Sequence, residues 1–155
     1  MADISRLVEA LNDPAIKRRR AAVAELGKSG ELTAIPFLAG AATDSHGSVR
    51  LEAVQALGKF HDSAAVPALI ESLSDPEPSV RAGAIAALGK INDRSTVDAI
   101  IRCLNDKNTE IRIGAIEVLG KLRDPRAFDP LKTMEQDPFS EVREAAARAL
   151  QRLKR

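Results

Sequence analysis

Five aspartates, Asp13, Asp44, Asp75, Asp106 and Asp137, stand 31 residues apart, with no insertion between any two. Four Leu-Gly-Lys triplets keep the same step: Leu26-Gly27-Lys28, Leu57-Gly58-Lys59, Leu88-Gly89-Lys90 and Leu119-Gly120-Lys121. A period of this length marks a stack of equivalent supersecondary units, each burying its apolar side against the next. It sets the architecture before any single residue is read. It also directs attention to surfaces, because a stack offers a surface by default.

The unit that opens at Asp75 shows the pattern. Asp75-Pro76 reads as a helix start, with a carboxylate for orphan N–H groups and a proline in the first turn. Val80, Ala84, Ile85 and Leu88 then recur at helical spacing and predict the buried face of a first helix. Equivalent sets are Val49, Ala53, Val54, Leu57; Ile111, Ala115, Ile116, Leu119; and Val142, Ala146, Ala147, Leu150. That helix should stop at Asn92, and its equivalents at Gly30, His61 and Arg123, where a left-handed residue closes a helix. Glu31, Asp62, Asp93 and Asp124 follow directly and predict the N-cap of a second helix. Val97, Ile100, Ile101 and Leu104 form its apolar face, with Val66, Leu69, Ile70, Leu73 and Phe128, Leu131 as counterparts.

The fold expected is therefore all-α: a right-handed α-solenoid of stacked antiparallel helix pairs, about ten helices in one domain, 1–155. It divides into a half-repeat at 1–12, full repeats at 13–43, 44–74, 75–105 and 106–136, and a closing half-repeat at 137–155. Ile4, Leu7 and Leu11 match a second helix, so the chain opens on half a unit. Ala22, Ala53, Ala84, Ala115 and Ala146, like Gly27, Gly58, Gly89 and Gly120, are read as small because a neighbouring helix passes close by. In the first repeat Arg18 replaces the usual Val or Ile, and Ile16 is expected to fill the space. Val142, Leu150 and Leu153 on the last helix are expected to be partly uncovered.

Asp75-Pro76, Val80-Arg81, Ala84, Leu88-Gly89-Lys90, Asp93 and Val97 together resemble the short HEAT-like repeats, a class first associated with phycobilisome lyases. The match runs over nearly the whole chain. The resemblance implies the solenoid and little about activity, since this fold carries scaffolds, adaptors, lyase subunits and a few enzymes. It also implies an alternative role: a lyase or chaperone subunit acting on a tetrapyrrole-carrying protein.

Candidate chemistry is sparse. Arg19, Arg50, Arg81, Arg112 and Arg143 share the period of the aspartates, so the two ladders are expected to bond each other and the loops between repeats. Lys17-Arg18-Arg19-Arg20 is the one dense basic run and reads as a solvated helix start. With 23 basic and 22 acidic residues, no Trp and no Tyr, neither a phosphate-binding groove nor base stacking is expected. His46, His61 and Cys103 lie in separate units and supply no convergent ligand set. The His-Glu pairs of the related metal hydroxylases are absent, since His46 precedes Gly47 and His61 precedes Asp62. No cofactor, metal or catalytic group is therefore expected. One cysteine, no signal-like N-terminus and no long apolar run point to the cytoplasm and away from a membrane.

What remains is a non-catalytic scaffold or adaptor that meets a protein or peptide. The concave face, lined by second helices, presents Arg6, Glu9, Phe37, Glu71, Asp98, Arg102, Asp129 and Thr133. Ser95 and Ala99 also fall on that outward row. Leu51, Ala82 and Ile113 form an apolar row on the first helices, a second candidate interface on the convex side. If copies of the chain associate, that row or the end helices are the expected route.

Overall fold

The computed structural model describes residues 3–154. These contain ten α-helices, several opened or closed by a 3-10 turn, and no strand among the described residues. The chain forms two compact units, Met1–Ile91 and Asn92–Arg155.

The first unit holds α1 (Ile4–Ala10), α2 (Ile16–Ser29), α3 (Ile35–Ala41), α4 (Gly47–Gly58), α5 (Val66–Ser72) and α6 (Pro78–Ile91). Its long helices stack in a layer, α2 on α4 and α4 on α6, while α1, α3 and α5 pack against α2, α4 and α6. The second unit holds α7 (Val97–Arg102), α8 (Thr109–Leu122), α9 (Phe128–Met134) and α10 (Ser140–Lys154). There α8 stacks on α10, α7 lies against α8 and α9 against α10. The long helices begin at residues 16, 47, 78, 109 and 140, so the 31-residue frame holds in both units.

Local chemistry explains the boundaries. Gly30, His61, Asn92 and Arg123 all have positive φ, between 51° and 70°, at the four expected helix ends. Glycine adopts this backbone freely, and the other three accept strain to do so. The acidic residue that follows caps the 3-10 turn of the next helix at Asp62, Asp93 and Asp124, whose carboxylates accept the N–H two residues on. Glu31 does not, and the N–H of Glu31 instead bonds the Ser29 hydroxyl. The repeat aspartates act one step earlier than expected. Asp13, Asp44, Asp75, Asp106 and Asp137 accept the N–H of the second residue on and close the turn before each long helix. The N-caps themselves differ: His46 and Asn108 use their side chains, whereas Ala15 has none to offer.

Small residues set the spacing of the long-helix layer. A Cβ at Gly27 would lie 2.8 Å from Ala56 Cβ, and one at Gly58 would lie 2.8 Å from Ala87 Cβ. In the second unit a Cβ at Gly120 would lie 3.0 Å from Ala149 Cβ. These glycines are notches, and each alanine is the knob that fills one. The repeated alanines at 22, 53, 84, 115 and 146 are buried as well.

Five expectations about burial need correction. Ile16 is exposed and does not fill the gap beside Arg18, because helix α2 starts at that residue and its side chain points away from the layer. Phe128 is 37% exposed, since its ring is larger than the Val97 or Ile35 found at the same position. Ala147 is exposed, unlike Val54, Ile85 and Ile116 at its position. Ala99 is buried, since its methyl is small enough to be covered where Phe37 at the same position is left exposed. Val142 and Leu150 are buried and only Leu153 is partly open, because α8 and α9 already cover the inner side of α10.

Candidate functional site

The arginine and aspartate ladders do bond each other. Arg19 donates through Nε and Nη2 to both oxygens of Asp44, at 2.8 and 3.0 Å, and through Nη1 to the Asp13 carbonyl at 2.9 Å. Arg50 repeats this with Asp75, at 2.7 and 3.0 Å, and with the Asp44 carbonyl. Arg112 does so with Asp137 and the Asp106 carbonyl, and lies 5.8 Å from the centre of the Phe139 ring. Each guanidinium thus ties a loop to the next loop through a two-pronged bond that lysine has no geometry to make. Arg81 is buried and donates to the Asp75 and Pro76 carbonyls. Burial alone would raise the Asp44 and Asp75 carboxyls, but Arg19 and Arg50, with the N–H groups of His46 and Glu77, hold both below the usual range. Burial likewise opposes the N–H of Phe139 and Arg112 at Asp137, and the net shift is again downward. These arginines belong to the scaffold and not to a polyanion track.

Most of the basic run is also committed. Arg18 meets Asp13 at 3.3 Å, Arg19 is in the ladder, and Arg20 meets Glu52 at 3.5 Å. Among the described residues no group of three or more His, Cys, Asp or Glu side chains is placed to hold a metal. His46 caps α4, and His61 Nδ1–H donates to the Lys90 carbonyl at 3.0 Å. Cys103 is buried, and its thiol donates to the Ala99 carbonyl at 3.6 Å.

The residues expected on the partner-binding row are exposed, apart from Ala99. In the first unit these are Arg6 and Glu9 on α1, Phe37 on α3 and Glu71 on α5. Phe37 is 40% exposed, a large apolar group left outside the core. Between α3 and α5 lies a cleft of about 380 Å³. Ala39, Ala42 and Ala68 give it apolar walls, Thr43 and Glu71 stand among its lining residues, and the Arg50–Asp75 pair closes one side. In the second unit the row comprises Asp98 and Arg102 on α7 and Asp129 and Thr133 on α9.

Sequence reasoning missed Arg126. Its guanidinium holds Asp124 through two bonds of 2.9 Å, reaches Asp98 at 3.1 Å and donates to the Arg94 carbonyl at 2.9 Å. It therefore links the starts of α7 and α9 and engages one member of the expected row. The Arg126 side chain and backbone N–H push the Asp124 carboxyl down to about 2. Arg126 breaks the repeat, since Ala64 and Ser95 stand at its position in other units, and such a departure was the available signal.

The expected convex row divides. Ala82 is exposed, while Leu51 and Ile113 are half-buried. Leu51 Cδ1 lies 3.1 Å from where a Gly83 Cβ would sit, so this side chain packs over the next helix of its layer.

This geometry defines a helical-repeat protein, an all-α chain of stacked antiparallel pairs. The family model for HEAT repeats matches residues 4–77 and 66–151, and the chain belongs to that family. Among solved structures it is similar to a chain in the complex of CpcE and CpcF of phycocyanin lyase from Nostoc sp. PCC7120. The identity is 26%, the TM-score 0.81, and the match covers 99% of this chain and 65% of that one, under two thirds of its length. A designed armadillo repeat protein in complex with the peptide (KR)4 matches at 20% identity and a TM-score of 0.68, over 97% of this chain and 81% of that chain. Human deoxyhypusine hydroxylase matches at 17% and 0.56, over 97% and 84%. The last two likenesses show the fold alone. A search of curated proteins finds no significant match. Among the described residues no helix is long and apolar enough to cross a membrane.

Proposed function

We propose that this chain is a non-catalytic scaffold or adaptor, working in the cytoplasm, that docks a protein or peptide on the exposed face of its second helices. The observation that carries this reading is the contrast in use of side chains. The ladders, knobs and notches absorb the long helices, while Phe37, Glu71, Arg102 and Asp129 stay in solvent with no role in the core. Exposed aromatic and charged side chains are common in interface anchors and rims. The test is affinity capture from the source cells, followed by titration calorimetry of each captured protein against the wild type and two variants. Phe37→Ala with Glu71→Lys, and Arg102→Glu with Asp129→Lys, are each expected to weaken a true partner at least tenfold. Unchanged affinity in both variants overturns the reading.

A second reading has its own observation, the similarity to a phycocyanin lyase chain over 99% of this sequence. On that reading the chain is a lyase or chaperone subunit acting on a tetrapyrrole-carrying protein. Mixing with a free bilin separates the two: a shifted visible band, abolished by Phe37→Ala with Glu71→Lys, favours this reading, and an unchanged spectrum favours the scaffold.

A further inference from the structure

We propose that the cleft between α3 and α5 is a socket for one basic side chain, lysine or arginine, carried by a segment of the docking partner. This rests on the reading that the second helices dock a protein or peptide, and it names the chemistry that one place on them selects. The cleft gets its space from two truncations. Ala39 stands where α5 and α7 have Ile70 and Ile101, and Ala42 stands where the next two repeats have Leu73 and Leu104. Both alanines line the cleft, together with Ala68 of α5. A Cβ added at the neighbouring Gly40 would meet nothing within 4 Å, so that side of α3 is open. The volume of about 380 Å³ lies at the low end of ligand pockets, which run from about 300 to 1,000 Å³, and suits a single side chain.

The hydrogen bonds of the walls decide the charge of the occupant. The donors are already engaged. Thr43 Oγ1 donates to the Gly40 carbonyl at 2.7 Å, and Ser72 Oγ donates to the Ala68 carbonyl at 3.0 Å. The Arg50 guanidinium donates to the Asp75 carboxylate and to the carbonyls of Asp44 and Ser45. The acceptors are open. The Glu71 carboxylate is exposed and has no hydrogen bond or ion pair among the described residues. The Thr43 and Ser72 oxygens keep lone pairs after donating. The other lining carboxylates, Asp44 and Asp75, are matched by Arg19 and Arg50, so Glu71 is the charge left over. A group that brings only donors and a positive charge fits these walls, which means an ammonium or a guanidinium. An anion would meet engaged donors and an unpaired carboxylate. The apolar stem of lysine or arginine would lie along the alanines, as long cationic side chains do on apolar surface. The selection belongs to this place in the chain, because Gly40, Arg102 and Thr133 hold the Glu71 position in the other repeats.

The test titrates the full, isotope-labelled chain with acetylated and amidated peptides of one sequence, whose central residue is arginine, lysine, norleucine or glutamate. The backbone amide resonances of Ala39, Ala42, Ala68 and Glu71 report the cleft. Arginine and lysine peptides are expected to shift them with millimolar affinity, and norleucine and glutamate peptides to bind about tenfold more weakly or not at all. Two variants separate charge from space. Glu71→Gln keeps the size and removes the charge. Ala39→Ile with Ala42→Leu restores the residues of the other repeats and fills the cleft. Each is expected to weaken the arginine and lysine peptides about tenfold. The socket is overturned if norleucine binds as well as lysine, if glutamate binds better than arginine, if no peptide moves these amides, or if either variant leaves binding unchanged. Failure of docking itself reads differently: captured partners then ignore the paired variants of both units. A captured partner that Phe37→Ala weakens and Glu71→Gln does not sinks the socket and leaves docking in place.

Discussion

The long helices and the short ones answer to different constraints. α2, α4, α6, α8 and α10 run for 12 to 15 residues and repeat nearly the same side chains in every unit. α3, α5, α7 and α9 run for six or seven residues and keep only their inner positions alike. Helix α4 presents a knob, Ala56, on one side and a notch, Gly58, on the other, so two of its faces are prescribed. A short helix packs against its long helices and the neighbouring 3-10 turn, and its exposed side is free to vary. Where the repeat is strict, the side chains carry the stack; where it is loose, they are available to a partner.

The contrast can be broken most directly in the long layer. Leu57→Ala, at a fully buried position, is expected to cost about 2–5 kcal/mol by urea unfolding followed by circular dichroism. A cost under about 1 kcal/mol would mean the layer is loosely packed. Gly58→Ala is expected to cost about 1–3 kcal/mol, although alanine is normally the better helix former; a gain in stability would remove the notch argument. The capping and ladder aspartates add a pH dependence. Asp124 falls from the ordinary 3.8 to about 2 on folding, so its contribution is present above pH 4 and is lost as the pH drops toward 2. Asp44, Asp75 and Asp137 shift in the same direction. Asp124→Asn is expected to flatten the fall in urea midpoint over that window, and an unchanged slope would assign the acid sensitivity elsewhere. The smallest effect belongs to the short layer. Phe37→Ala is expected to move stability by less than about 1 kcal/mol, in keeping with a surface position, while weakening a partner strongly. A large loss of stability would place Phe37 in the core.

Much of this was legible in the residue order. The frame, the helix starts, the four left-handed residues and the pairing of the two ladders all follow from a 31-residue repeat of local signals. The cleft beside Glu71 was not, because its walls come from two short helices that the spacing alone does not set at a distance. Nor was Arg126, whose partner Asp98 stands 28 residues away in sequence.

By itself, the sequence determined which residues make helices, where each helix stops and which faces must be hidden, because caps, left-handed closures and apolar periodicity act within a few residues. Only the tertiary structure decided that Leu51 lies over Gly83, that Phe128 stays half outside, and that Gly27, Gly58 and Gly120 are notches for an alanine. Those facts depend on the separation of neighbouring helices. That separation is set by the volumes of all the side chains between them together, and no local pattern encodes it.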